Sequence, residues 1–315
     1  MMNVSVLVPS YNHAPFVEQT LRSIFAQTFL PEKLIVIDDG SKDESAKIIE
    51  KVLRDCPFDA EFIRRENRGL CATLNEGFAK TKTEFFAYLG SDDVWLPRFL
   101  ERRIKLLESN PKTVLAFGHS YLIDEENRII DSTENWTDFA DDMFSSLLRG
   151  IVPPSPSVVY RRRALAKYGW NENAILEDYE LYLKLAGAGG EFAFDKMVSC
   201  AWRQHDSNVS RDFPLMLSEW MAAQNRVADE LEIPRAALDK IQTELKFNSV
   251  FDYIRHGKKR EAFDLMRENF GGAKSAAQVG KMLFRFAVPH KLFQWNRRRK
   301  RLNSVGNYGR LKLDL

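Results

Sequence analysis

The sequence predicts an α/β protein, an open, mostly parallel sheet flanked by helices, with a helical C-terminal subdomain after it. Three observations carry that reading. Short apolar runs at residues 4–8, 34–37 and 85–89 alternate with stretches of helical periodicity, and a β-α-β order argues for a parallel sheet. Each run ends in a polar cluster, Tyr11-Asn12, Asp38-Asp39 or Asp92-Asp93, and open sheets bind ligands at the C-terminal ends of their strands. Strand signals then stop, which divides the chain into residues 1–212 and a helical region, 213–315.

The elements follow in order. Val4–Val8 is a strand, and the next helix sets Val17, Leu21, Ile24 and Phe25 on one face. Leu34–Ile37 is a second buried strand; Ser41 or Asp43 caps the helix that turns Ile48, Ile49 and Val52 inward. Glu61–Arg65 is a third strand and Gly69–Lys80 a short helix. Phe85–Leu89 is nearly continuous apolar sequence, as in strands buried on both faces. A helix over Phe99–Ser109 leads to a strand, Val114–Tyr121, and a hairpin at 122–130 with Asp-Glu-Glu-Asn in its turn. Phe139–Leu148 reads as a short helix and Ser157–Tyr160 as a strand entered from the rigid Pro153-Pro154-Ser155-Pro156. A helix over 174–185 turns Leu181, Tyr182 and Leu185 to the core and leaves Glu177 and Asp178 at its start. Strand Glu191–Ala201 follows. Three or four helical patterns complete the chain, at 215–231, 235–256, 259–269 and 275–301, punctuated by Gly257 and Gly271-Gly272.

Composition narrows the function classes. With 315 residues, 44% of them hydrophobic and 12% aromatic, the chain buries a sizeable core. A net charge of +2 argues against a polyanion-binding molecule. Cys56, Cys71 and Cys200 are odd in number, far apart and in no metal-ligand spacing, which points to reduced thiols in a cytoplasmic protein. The N-terminus lacks a basic n-region, so no signal peptide is expected. No window approaches the roughly 20 apolar residues of a membrane span.

The chemistry centres on Asp92 and Asp93. Two adjacent acids at the end of a buried strand repel each other unless a cation or a donor-rich ligand sits there. Mg²⁺ and Mn²⁺ take oxygen ligands and keep phosphate oxygens in their shell. The competing reading is an acidic turn that caps the helix beginning near Pro97. A dinucleotide site would need a glycine-rich first turn, but that turn is Pro9-Ser10-Tyr11-Asn12. No phosphate loop ending in Gly-Lys-Ser/Thr is present either.

Seven segments, in one order, resemble glycosyltransferase family 2: residues 4–12, Val36-Ile-Asp-Asp-Gly-Ser41, Asn67-Arg-Gly69, Ser91-Asp-Asp93, Pro156-Ser-Val-Val-Tyr160, Glu177-Asp-Tyr-Glu-Leu181 and Trp202-Arg-Gln-His205. The resemblance covers about residues 3–210. It implies a GT-A fold, a nucleotide-diphosphate sugar donor (a UDP-sugar by default) and inversion of the anomeric centre. It places Pro9, Tyr11 and Asp39 around the nucleobase, where a ring can pack on a base and a carboxylate can accept its N–H groups. Of Asp38 and Asp39, one is expected to serve the turn. Arg68 either holds the diphosphate or is a solvated loop arginine. Asp92 is expected to meet ribose or share the metal, with Asp93 as ligand to Mg²⁺ or Mn²⁺. Ser91 stands where an Asp-x-Asp motif has its first acid, which leaves the direct ligand open.

On the acceptor side the family's Glu-Asp pattern makes Asp178 the general base, with Glu177 as second candidate; the alternative is that both merely cap a helix. The resemblance puts His205 on the metal or diphosphate, against a purely structural role, with Arg203 as a phosphate-directed cation. The acceptor implied is a glycan or a lipid-linked hydroxyl of the kind used in bacterial surface-polysaccharide biosynthesis. A catalytically silent nucleotide- or glycan-binding scaffold is the alternative, and the intact Asp93 and Asp178 argue against it.

The tail adds a further expectation. Val279, Met282, Leu283, Phe286 and Ala287 share one helical face, and Leu292, Phe293 and Trp295 precede Arg297–Arg301. Ten Lys and Arg against one acid, Asp314, occupy residues 281–315. Such a segment suits a peripheral location on the inner face of the cell membrane; the alternative is that the apolar face packs on the preceding helices. No recognition motif or aromatic interleaving accompanies the basic run, so nucleic acid is not an expected partner.

Overall fold

The computed structural model describes residues 3–135, 142–206 and 208–311. The first half winds β1 (Val4–Ser10), α1 (Val17–Phe25), β2 (Lys33–Asp38), α2 (Ser45–Leu53), β3 (Asp59–Arg64), α3 (Leu70–Ala79) and β4 (Phe85–Tyr88). Then come β5 (Val94–Trp95), α4 (Phe99–Ser109), β6 (Thr113–Ile123), β7 (Ile129–Ser132), α5 (Met143–Leu148), β8 (Val159–Arg161), α6 (Arg162–Tyr168), α7 (Tyr179–Gly187) and β9 (Glu191–Arg203). Five helices close the chain: α8 (Phe213–Glu230), α9 (Arg235–Arg255), α10 (Lys259–Glu268), α11 (Ala276–Ala287) and α12 (His290–Tyr308). No helix among the described residues is long and apolar enough to cross a membrane.

Among the described residues nine strands form one sheet in the order β3-β2-β1-β4-β8-β6-β9-β5, with β7 hydrogen-bonded to β6. The first four are parallel. The period-2 alternation of β1 explains its place at the centre. Val4, Val6 and Val8 face a layer of α1, α2 and α4 that includes Leu21, Ile49 and Ile104, while Leu7 faces the opposite layer with Leu74 of α3 and Leu183 of α7. Each fully buried Val or Leu of this kind contributes about 1.5–3 kcal/mol.

The second half departs from the expected parallel order. β8 lies antiparallel between β4 and β6, and β6 pairs parallel with β9. The strand expected over Ser157–Tyr160 begins later, because Ser155–Ser157 forms a 3₁₀ turn after Pro154. β5, with two residues, has no periodicity to read; it pairs with β9 and is fixed by Trp95, which stacks on Phe99 and donates to the Pro156 carbonyl at 2.8 Å. Neither Ser41 nor Asp43 holds the cap position of α2, which is Glu44; Asp43 lies one residue before it and accepts the Ser45 N–H at 3.0 Å. The described part of the helix expected over Phe139–Leu148 is α5; residues 139–141 lie outside the described residues.

The helical region is joined to the sheet by α8, whose Ala223 and Val227 enter the core beneath α7. A separate small core gathers Phe247, Val250 and Ile254 of α9 with Ala262, Met266 and Met282. The pattern expected over 275–301 divides into α11 and α12 at Pro289, which supplies no N–H to continue a helix.

Candidate active site

The loops after β1, β2 and β4 open on one cavity of about 720 Å³. Its lining includes Pro9, Tyr11, Asp39, Asp92 and Asp93 on the strand ends, with Glu177 and Asp178 ahead of α7 and His205 after β9. Polar residues expected at the ends of three separate strands therefore meet in one space.

The strand-end loops are tied to one another. Asn12, with a positive φ of 54°, donates its N–H to Ser41 Oγ at 2.9 Å and accepts the Lys42 N–H at 2.8 Å. The His13 N–H donates to Ser45 Oγ at 2.9 Å. Asp38 serves the turn, accepting the Ser41 N–H at 3.0 Å. Asp39 instead reaches the next loop: its carboxylate accepts the N–H groups of Arg68 and Gly69 at 2.8 and 2.9 Å and is paired with Arg65. Gly40 permits that approach, since its φ is +79° and a Cβ would lie 2.7 Å from the Asn67 nitrogen. Tyr11 is 43% exposed at the mouth of the cavity, where its ring face is available to a planar ligand. Arg68, unlike its neighbours Asn67 and Gly69, does not line the cavity; its side chain is 57% exposed and 3.4 Å from Glu76.

The Asp92-Asp93 turn does not cap the following helix, whose cap position is Arg98. Asp92 Oδ2 lies 2.9 Å from His205 Nε2, and Asp92 Oδ1 lies 3.9 Å from His13 Nδ1. His13, Asp92 and His205 each offer a ligand atom within 4.8 Å of the others. Two imidazoles and a carboxylate suit Mn²⁺ better than Mg²⁺, so the residues fit a divalent cation. Burial opposes ionisation of Asp92, but the His205 hydrogen bond and the two imidazoles hold its carboxyl below the usual range. Burial, reinforced by His205 and Arg203 against the pull of Asp92, lowers His13 and favours the neutral ring that a metal requires. His13 is absent from the residues the sequence singled out; its one signal is its place directly after Tyr11-Asn12.

Asp93 is buried, and its Oδ1 accepts the backbone N–H of Arg203 at 2.7 Å. Burial and the neighbouring Asp92 push its carboxyl well above the ordinary range. A cation or a further donor arriving there would favour its ionised form.

The Arg203 guanidinium is not a free phosphate-directed cation. It is buried beneath the turn, donates to the carbonyls of Asp92 and Asp124 and to Gln19 Oε1, and lies over the Phe16 ring. Its work is to hold the acidic turn in place.

Across the cavity, Asp178 sits at the N-cap position of α7, without capping it through its side chain. Glu177 Oε1 accepts from the Tyr88 hydroxyl at 3.1 Å. Water reaches part of both side chains, yet the protein encloses them. Burial raises Glu177, and burial together with the Glu177 charge raises Asp178 well above an ordinary aspartate. A half-enclosed carboxylate of raised proton affinity is suited to general-base work.

Comparison with known proteins sets this site in context. A family model described as glycosyl transferase family 2 matches residues 5–169. An uncharacterised glycosyltransferase of Nostoc is 30% identical over 171 residues, 53% of each chain, so the chain spans about half the length of that relative. Chondroitin synthase of Escherichia coli is 23% identical over 195 residues, 59% of this chain and 27% of the relative. Among solved structures, a mannosyltransferase from Pyrobaculum calidifontis in complex with GDP-Man and Mn²⁺ superposes with a TM-score of 0.66 at 16% identity, covering 97% of this chain and 86% of that one. TarS 1-349 of S. aureus, in complex with UDP-GlcNAc, gives 0.58 at 16% identity, with coverage of 99% and 93%. At these identities the structural likeness is one of fold.

Proposed function

The chain belongs to glycosyl transferase family 2 and has its GT-A type of fold, and from that premise we propose that it transfers a sugar from a nucleotide-diphosphate donor to a hydroxyl of a glycan or lipid-linked acceptor, inverting the anomeric carbon. One observation carries the reading: a single cavity sets Tyr11, Asp39, Asp92 and Asp93 against Glu177 and Asp178. The first group suits a nucleotide and its diphosphate; the second suits a hydroxyl that must lose a proton.

In this proposal Pro9, Tyr11 and Asp39 receive the nucleobase, and Asp39 keeps its loop closed while doing so. The donor is a UDP-sugar by default, although the two structural neighbours bind GDP-Man and UDP-GlcNAc respectively. Arg68, outside the cavity lining, would have to leave Glu76 to reach the diphosphate. Asp92, His205 and His13 would hold the cation, and Asp93, which lies outside that cluster of ligand atoms, would join them in the ligand role the resemblance suggests for it. A bound Mn²⁺ or Mg²⁺ would offset the negative charge that builds on the leaving diphosphate.

Asp178 takes the proton of the acceptor hydroxyl as its oxygen attacks the anomeric carbon. The bond from that carbon to the diphosphate oxygen breaks on the opposite face, and its electron pair leaves with the nucleotide. Inversion follows from this single displacement. The intact carboxylates on both walls favour an enzyme over a silent scaffold. We place the work in the cytoplasm, on or beside the inner face of the cell membrane, in building a polysaccharide; the similarity to chondroitin synthase supports the acceptor class.

The test is a panel of UDP- and GDP-sugars, read for release of the nucleoside diphosphate with Mn²⁺, with Mg²⁺ and with excess chelator. Selective release from one donor, lost in chelator, is the expected result. Full turnover in chelator would remove the metal from the mechanism, and retention of the donor's anomeric configuration in the product, read by NMR, would exclude single displacement.

A further inference from the structure

We propose that α11 and α12 form an interfacial surface that seats the protein on an anionic lipid bilayer. The inference stands apart from the transfer reaction, because binding is read without turnover.

The inward faces of the two helices are accounted for. Met282 is buried, and Val279, Phe286 and Phe293 pack on the small core of α9 and α10. Most of the face singled out from the sequence thus packs on preceding helices, because α9 and α10 present Phe247, Val250 and Met266 to it. Arg285 is also spent inward, 3.6 Å over the Phe251 ring.

The outward faces are a different set of residues. Gly280, Leu283, Phe284 and Ala287 follow helical spacing and are all exposed, with Leu283 at 52% and Phe284 at 71%. Beyond Pro289, α12 exposes Leu292, Trp295 and Leu302. Single exposed apolar residues are ordinary, whereas runs of large ones mark a binding surface.

Charge identifies what binds. Residues 276–311 contain nine Lys and Arg and no Asp or Glu. Lys281, Lys291, Arg298, Arg299 and Lys300 are exposed and form no ion pair among the described residues. Arg299 lies 5.6 Å over the Trp295 ring, joining a cation to an amphipathic aromatic. Leu, Phe and Trp at the headgroup boundary with cations against anionic lipid is how an interfacial helix binds. A second copy of the chain would set these five outward cations against five, a repulsive pairing. Nucleic acid would leave the Leu and Phe stripe without a role.

Arg301 stands outside this surface. It donates to Asp124 at 2.9 Å, while Tyr308 packs on Tyr121 and Leu311 donates its N–H to the Asn127 carbonyl at 2.8 Å. These contacts anchor the end of α12 to the β6–β7 hairpin.

The experiment is co-sedimentation of the full chain with vesicles of phosphatidylcholine alone and with added phosphatidylglycerol. Three variants are compared with wild type: Leu283→Ser with Phe284→Ser, Leu292→Ser with Trp295→Ser, and Arg298→Gln with Arg299→Gln and Lys300→Gln. All the changed residues are exposed, and Arg301 is kept. Wild type is expected to pellet with anionic vesicles only and to be released by about 0.5 M salt. The charge variant should bind on the order of 100-fold more weakly, from about 1 kcal/mol per basic residue, and each apolar variant at least about tenfold more weakly. Nucleotide-sugar turnover in solution should be unchanged in all three, so a failure here is distinct from a failure of the transfer proposal. Three results overturn the inference: no pelleting of wild type at low salt, equal pelleting of wild type and every variant, or an apolar variant that only converts a dimer to a monomer.

Discussion

As the proposed general base, Asp178 has to be ionised to accept a proton, yet burial and the charge of Glu177 both raise its proton affinity. That opposition sets its pH response. Removing a like charge lowers a neighbour's pKa. Glu177→Gln is therefore expected to move the acid limb of the rate profile to lower pH, because Asp178 then stays ionised further into acid. An unmoved limb would mean that the limb belongs to another group. Asp178→Asn should lower turnover by about 10²–10⁴-fold, the usual worth of a general base. Arg203 shows where residue-level reading fails. As a sequence it is a cation beside a metal candidate; in the fold its guanidinium is consumed by two carbonyls and an amide, because β9 delivers it beneath the acidic turn.

Among the elements, β1 to β4 were legible because a strand buried on both faces writes itself as an apolar run, with polar residues only where the run ends. The exception is β3, more exposed at the sheet edge, whose bounds begin earlier than expected. The pairing of the second half was not legible. β8 is three residues long and β5 two, too short for a period, and their direction depends on partners far along the chain. His13 was missed for a related reason: the backbone around it is held by Ser41 on the neighbouring loop and Ser45 at the start of α2, residues about thirty positions further along the chain. The β6–β7 hairpin makes a test at this scale. The Asp124 carboxylate accepts the N–H of Glu126 and Arg128 and pairs with the Arg128 and Arg301 side chains. Both arginines are partly solvated, so Asp124→Ala should cost about 2 kcal/mol rather than the larger penalty of a fully buried pair. Urea unfolding reads the loss, and hydrogen exchange should show α12 opening before the sheet does. Unchanged stability with unchanged exchange would mean that the hairpin does not anchor the helix.

For the whole molecule, the sheet underlies the proposed division of labour. Parallel strands bring three sets of strand-end residues to one edge, and α7 faces them across the cavity with its own carboxylates. Family membership was legible because seven short segments keep their order along the chain; the helical region has no such pattern, and its small core and outward stripes emerge only once α9 and α10 are in place. The division of labour predicts separable roles for acids that share one cavity. Calorimetric titration of Asp93→Asn and Asp178→Asn with the best nucleotide sugar, in Mn²⁺ and in chelator, tests this most directly. Asp93→Asn should lose the Mn²⁺-dependent part of donor affinity, while Asp178→Asn binds donor as wild type does. Metal-dependent donor binding that survives in Asp93→Asn and collapses in Asp178→Asn would contradict it.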